Sequence, residues 1–247
     1  MKVKGVTVVC PVHNEEAYIP RTFPSIYALK PDQVLVLLDR CTDNSRRLIE
    51  QLNPGVALKI VEIGEEDGAD WRFRSAYLRR LAYSLTETKF ILNTAADIVL
   101  DEAISSYVPL LDNRMKLVRI GFLDYPYTLK CFMRQVYSVL TPFQGYGGLC
   151  LFEKTAWEDS EDLASLKQQK ASEDSHLQIS IEQKYLIKHR NSRSLHLRHT
   201  ETSRDDYNRG DNYWNLVRAP WWKVLAIAVA MLRPNMMVGY LHAKNRD

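Results

Sequence analysis

The stretch Val6-Thr7-Val8-Val9-Cys10-Pro11-Val12-His13-Asn14-Glu15-Glu16 decides how this chain is read. Its first half is an uninterrupted apolar and β-branched run, the pattern of a strand covered on both faces. It then turns abruptly polar. The same transition recurs where residues 34–38 give way to Asp39-Arg40-Cys41-Thr42-Asp43-Asn44-Ser45. Residues 56–63 and 89–93 read as further strands. Residues 45–52 form a helix behind an Asp43/Asn44 cap, and residues 71–85 place Phe73 or Ala76, then Leu78, Leu81, Ala82 and Leu85, at helical spacing. Strands alternating with helices imply right-handed crossovers and an α/β fold whose mostly parallel sheet is flanked by helices. The ligand crevice of such a sheet lies outside the carboxyl ends of its strands. Residues 11–16, residues 39–45 and Thr94-Ala95-Ala96-Asp97 are therefore expected on one edge.

The second half is less regular. Residues 116–122 and 149–152 look like strands, and Gln144-Gly145-Tyr146-Gly147-Gly148 is a glycine cluster suited to close backbone approach or a simple turn. Ser172-Glu173-Asp174 opens a helix through about residue 183, followed by strand-like residues 185–187 and 194–197. Near the end, Trp221-Trp222-Lys223 leads into an apolar run over residues 224–232 that stops at Arg233-Pro234. Nine residues cannot span a bilayer, which takes roughly 20. Tryptophans beside basic residues suit a helix lying on a membrane surface, and a helix packed on the protein body fits the run equally well.

Composition narrows the classes. The chain has 247 residues, 33 Lys+Arg against 30 Asp+Glu and a net charge of +3, too weak to argue for nucleic acid. With 10 glycines and 10 prolines, long disordered linkers and collagen-like repeats are excluded. Cys10, Cys41, Cys131 and Cys150 show no zinc-ligand spacing. Cys10 and Cys150 fall in apolar runs and read as small buried residues, consistent with a reducing compartment, and residues 1–5 lead straight into a strand, so a cytoplasmic protein is expected, peripheral at most on a membrane.

The residue types on the shared edge suggest nucleotide chemistry. A base needs an apolar wall and a fixed acceptor for its ring edge, which Pro11, His13 and Asp39 supply. A turn with a helix cap is the plainer reading of residues 39–45, but it does not need Asp39 to end a buried strand. Asp97 is the carboxylate of the third loop on this edge. Asp101, four residues on, reads as a cap for the next helix.

In this order and spacing, Pro11-Val12-His13-Asn14-Glu15-Glu16 and Leu37-Leu38-Asp39-Arg40-Cys41-Thr42-Asp43-Asn44-Ser45 resemble the opening of family 2 glycosyltransferases, clearly over residues 5–105 and more loosely to about residue 200. The resemblance implies a single Rossmann-like, GT-A-type nucleotide-sugar domain over residues 1–205. Its halves would be 1–100 for the nucleotide and 101–205 for the acceptor, with a helical extension over 206–247. It implies inverting transfer of a sugar from a nucleotide-diphosphate donor to a hydroxyl on a glycan or lipid-linked acceptor. Pro11, His13, Glu15 and Asp39 would bind the nucleotide, Gly147 and Gly148 would line the sugar and acceptor pocket, and Asp174 would act as base with Glu173 in support. By residue physics alone, an acidic, capped helix start is the favoured reading of Ser172-Glu173-Asp174, and the family order reverses that preference.

Three departures from the family pattern matter. His13 stands where the family usually has tyrosine, which leaves uracil and guanine both open. Ala95 replaces the first aspartate of the Asp-x-Asp metal element, so Asp97 with a late histidine would hold Mg2+ or Mn2+. His199 is assigned that place with His196 as its competitor, and Arg198 is an alternative diphosphate ligand. No Gln-x-x-Arg-Trp element follows Asp174, which excludes a processive synthase and favours a single addition. The competing functions are a polyprenyl-phosphate glycosyltransferase, a nucleotidyltransferase, against which the glycine-free Pro11–Glu16 loop argues, and a non-catalytic nucleotide-sugar binder.

Overall fold

The opening apolar run forms β1 (Val6–Val12), flanked by β2 (Gln33–Asp39) on one side and β4 (Phe90–Asn93) on the other, both parallel to it. β3 (Leu58–Ile63) adds a further parallel strand outside β2. The computed structural model describes residues 3–64, 74–125, 149–160, 181, 184–197, 220–230 and 234–245. They belong to two compact units, one within Met1–Leu123 and Gly145–Leu197, the other within Asp124–Gln144 and Arg198–Asp247.

In the first unit the described strands make one eight-stranded sheet in the order β3-β2-β1-β4-β7-β6-β8-β5. β5 is Ile98–Val99, β6 Met115–Asp124, β7 Cys150–Glu153 and β8 Leu186–His196. The architecture is α/β with helices on the sheet, as expected. Among the described residues pairing is parallel within β1–β4 and antiparallel for β4–β7, β6–β7 and β5–β8.

Burial on both faces explains why β1 and β2 are predominantly apolar along their length rather than at alternate positions. Val6, Val8, Cys10 and Val12 join one core cluster with Ile19, Phe23 and Ile26 of α1 (Ile19–Ala28) and Ile49 of α2 (Ser45–Gln51). Val9, Leu35, Leu37 and Ile91 join the other, with Leu78 and Ala82 of α3 (Arg74–Ser84) and Trp157 of α4 (Lys154–Ser160). Each such side chain taken fully out of water contributes roughly 1.5–3 kcal/mol.

Several elements differ from the sequence reading. α1 contains Pro20 in its first turn and Pro24 in its interior, and two prolines within five residues mask its helical pattern. Glu102–Leu110 is a 3-10 helix whose first turn Asp101 caps by accepting from the Ala103 N–H at 3.0 Å, the capping role expected of it. Residues 185–187 and 194–197, read as two short strands, belong to the region of one long strand, β8. Its middle, Lys188 to Arg193, is polar and only partly covered, so it carries no apolar signal.

In the second unit, α5 (Trp221–Ala230) and α6 (Pro234–Lys244) pack on each other. Among the described residues no helix is long and apolar enough to cross a membrane.

Candidate functional site

In the sheet order β3-β2-β1-β4, β2 and β3 lie on one side of β1 and β4 on the other, so the topological switch falls beside β1. The register pairs Val12 with Leu38 and Val9 with Asn93, which brings the loops after β1, β2 and β4 out at one edge. Proline fits the end of central strand β1 for a local reason. The Val9 carbonyl accepts from Thr94 N on the β4 side, so the Pro11 nitrogen, two residues on, faces that same side where the β4 register has ended.

The first two loops are clasped by side chains of one bonding to the backbone of the other. Asn14 Oδ1 accepts from Thr42 N at 2.8 Å, Asp43 Oδ2 from Glu16 N at 3.0 Å, and Glu16 Oε2 from Asn44 N at 2.9 Å. Ser45 Oγ accepts from Glu15 N at 2.9 Å. Burial pushes the Asp43 carboxyl up, but the hydrogen bonds from Ser45 and from the Glu16 N–H outweigh it and hold the group below the usual carboxylate range. Asn14, at φ +52°, and Arg40, at φ +49°, both adopt the left-handed conformation. Asparagine tolerates it, whereas for arginine it marks backbone held in place by its surroundings.

Asp39 ends β2 and is 5% exposed. Its Oδ1 accepts from Arg74 Nε at 2.6 Å and from Arg40 Nε at 3.0 Å, while Oδ2 meets Arg40 Nη2 at 3.3 Å. Arg74, also 5% exposed, donates from Nη2 to the Gly64 carbonyl at 2.7 Å. Burial raises the Asp39 carboxyl, and the hydrogen bonds from Arg74 and then Arg40 more than reverse this, so it sits below its ordinary value as an anion. His13 is exposed, and its Nδ1 lies 2.6 Å from the Asp39 carbonyl oxygen. A carbonyl only accepts, so Nδ1 carries the hydrogen, which leaves Nε2 as the acceptor of the neutral ring. Pro11, His13 and Asp39 thus lie together at the ends of β1 and β2.

Glu15 is buried, and its carbonyl accepts from Tyr18 N and Ile19 N at the start of α1. Cys10 marks how the carboxylates gather around β1. Burial first, and then the charges of Asp97 and Glu15, push its thiol far above the ordinary value, with Arg79 of α3 opposing them.

Asp97 is 7% exposed, in the turn between β4 and β5. The pairing of Ile98 with His196 carries β8 back to it. Leu197 N donates to the Asp97 carbonyl at 2.8 Å, and His196 Nε2 lies 3.5 Å from Asp97 Oδ2. The His196 ring packs on Phe122 with centroids 5.4 Å apart. Between His196 and His199, His196 is the one seen beside Asp97. His199, Arg198, Glu173, Asp174, Gly147 and Gly148 lie outside the described residues.

The donors present suit a cation shared with a diphosphate. Two cis ligands at about 2.1 Å lie about 3 Å apart, close to the observed Asp97–His196 separation. Among the described residues no cluster of three or more His, Cys, Asp or Glu side chains is placed to hold a metal. The remaining positions would fall to phosphate oxygens and water, the usual way Mg2+ is bound.

Arg74 is the site residue that sequence reading missed. It precedes Leu78 by one helical turn, on the same inward stripe that continues to Ala82. A charged residue on an apolar stripe was the available signal.

No family model matches the chain, and no curated protein matches it. Solved structures do. The S. aureus TarS 1–349 structure superposes with a TM-score of 0.59 at 14% identity, covering 85% of this chain and 65% of that one. A second, longer TarS structure gives 0.60 at 14% identity, covering 85% and 40%. Glucosyl-3-phosphoglycerate synthase from Mycobacterium tuberculosis, in complex with Mn2+, uridine-diphosphate and glucosyl-3-phosphoglycerate, gives 0.56 at 17% identity, covering 83% and 75%. The chain thus spans less than two thirds of the two TarS structures. The sheet order, the crevice at its switch point and these superpositions show that the chain carries a GT-A-type glycosyltransferase fold.

Proposed function

We propose that this protein is a nucleotide-sugar-dependent, hexosyltransferase-type glycosyltransferase that makes a single addition, with inversion, to a hydroxyl of a glycan or glycolipid. The observation that carries the reading is the Asp39 carboxylate, held anionic by Arg74 and Arg40 beside Pro11 and His13, at the same sheet edge as Asp97 with His196. In this reading Asp39 Oδ2 accepts from a ring N–H of the base, with Pro11 and His13 walling the ring and Glu15 holding the first loop. Asp97 and His196 hold Mg2+ or Mn2+, which when bound neutralises charge on the departing diphosphate. Asp174, supported by Glu173, takes the proton of the attacking hydroxyl, and Gly147 and Gly148 let the sugar and acceptor approach the backbone. Solved proteins of this fold support the donor class and the metal, since glucosyl-3-phosphoglycerate synthase has been crystallised with Mn2+ and uridine-diphosphate-glucose.

Thermal unfolding with UDP, GDP, dTDP and CMP, each with and without Mn2+, tests the donor site. One diphosphate should raise the midpoint by mass action, more so with Mn2+, and Asp39→Asn should abolish the rise. No stabilisation by any nucleotide refutes the reading. Transfer that survives both Asp97→Ala and Asp174→Ala refutes the assigned roles, and tolerance of Asp174→Asn points to a polyprenyl-phosphate acceptor, whose oxygen is already anionic. Ala95 is the observation favouring a binder without turnover, and tight diphosphate binding with no transfer or donor hydrolysis would establish that alternative.

A further inference from the structure

The second unit carries a face that the site chemistry does not use. On α5, Trp221, Trp222, Leu225, Ala226 and Val229 are all exposed, Trp222 by 61% and Val229 by 66%, while Val224 and Ala228 are buried. At 3.6 residues per turn the exposed five occupy one arc of about 140°, apolar throughout, with exposed Lys223 beyond its edge. On α6, Val238 and Leu241 are exposed, while Met236, Gly239, Tyr240 and Ala243 face inward.

Two exposed tryptophans at the head of an apolar arc are costly to leave in water. Charge identifies what the face meets. Residues 212–246 contain Arg218, Lys223, Arg233, Lys244 and Arg246 and no aspartate or glutamate, in a chain otherwise close to charge balance. A cationic segment with a tryptophan-led apolar face matches the headgroup region of an anionic bilayer, where indole rings settle at the polar boundary and each nearby basic residue adds attraction. α5 has 10 residues and is about 15 Å long, half a hydrocarbon core of about 30 Å, so it lies on the surface instead of crossing.

We infer that the exposed apolar face of α5 docks this protein onto the surface of membranes rich in anionic lipid. The inference is independent of the donor chemistry.

The test is co-sedimentation of the full chain with phosphatidylcholine vesicles, with and without one quarter phosphatidylglycerol. Partitioning should be at least tenfold greater on the anionic vesicles. Lys223→Ala should reduce it about fivefold, an effect that fades in high salt. Trp222→Glu combined with Val229→Glu should abolish it while circular dichroism and thermal unfolding stay unchanged. Should that pair fail to fold, quenching of tryptophan fluorescence by brominated lipid decides instead. It should be strong in the parent chain and largely lost in Trp221→Phe with Trp222→Phe. Equal partitioning on both vesicle types, absence from both, or an oligomer that the same substitutions dissolve without lipid would each overturn the inference.

Discussion

The two ends of the candidate crevice are built in opposite ways. At the β1–β2 end, two loops are stitched together by reciprocal side-chain-to-backbone hydrogen bonds, and Asp39 is gripped by two arginines. At the β4–β5–β8 end, Asp97 faces His196 across 3.5 Å, with alanine at position 95 where another carboxylate would have added charge. The first end is organised before any ligand arrives. Among the described residues the second has too few donors to hold a cation unaided, and under the proposed function it would gain the remaining oxygens from the diphosphate. The difference teaches that one end is ordered by the protein's own hydrogen bonds, whereas the other, under the proposed function, would have its charge completed by the ligand.

The largest expected effect tests the sparse end. Asp97→Ala should lower transfer by about 10²–10³-fold, because it removes an anchor for charge developing in the transition state. The melting temperature should stay near that of the parent. A comparable loss of stability would mean that Asp97 serves the fold and not the ligand. His196→Ala should weaken Mn2+-dependent stabilisation by the diphosphate without removing its Mn2+-independent part.

Next in size is the gripped end. Arg74→Met leaves the Asp39 charge buried beside Arg40 alone, and chemical denaturation should show a loss of about 2–3 kcal/mol, less than for a wholly unpaired buried charge because Arg40 remains. Combining it with Asp39→Asn should recover part of that loss. The pH dependence has a definite sign. Asp39 is depressed in the folded state, so its contribution is present above the carboxyl value of the unfolded chain and is lost as pH falls through the folded one. Arg74→Met removes the main depressing partner, so acid unfolding should begin at a higher pH than in the parent. An unchanged acid midpoint would break the contrast between the two ends.

Smaller still is the clasp. Asn14→Ala removes the acceptor for Thr42 and places alanine at φ +52°, for an expected loss of about 1–2 kcal/mol by thermal unfolding. Asn14→Gly, which relieves the backbone, should lose less. The mildest change is His13→Phe, which removes one hydrogen bond to the Asp39 carbonyl while keeping a flat ring. Nucleotide affinity should fall by only a few-fold, and by more in His13→Ala.

The legibility of these features differs for a physical reason. β1, β2 and β4 were readable because strands buried on both faces carry apolar side chains on both, not at alternate positions, and the polar loops after them stand out by contrast. The long strand β8 was not, since its polar and partly exposed middle leaves no apolar alternation to detect. α1 was hidden by its prolines: Pro20 sits in the first turn, where it costs no intrahelical hydrogen bond, and the interior Pro24 is offset by Phe23, Ile26 and Tyr27 packing into the core.

From the residues alone came the α/β class, the shared edge of the first three loops, and Pro11, His13, Asp39 and Asp97 as the side chains to watch. These are local properties, written in the spacing of apolar residues and the chemistry that follows each strand. Tertiary structure alone decided that Arg74 closes on Asp39 from 35 residues away, that the first two loops clasp each other, and that His196 comes to rest beside Asp97. Such pairings depend on which strands become neighbours and in what register, and local patterning does not encode that choice.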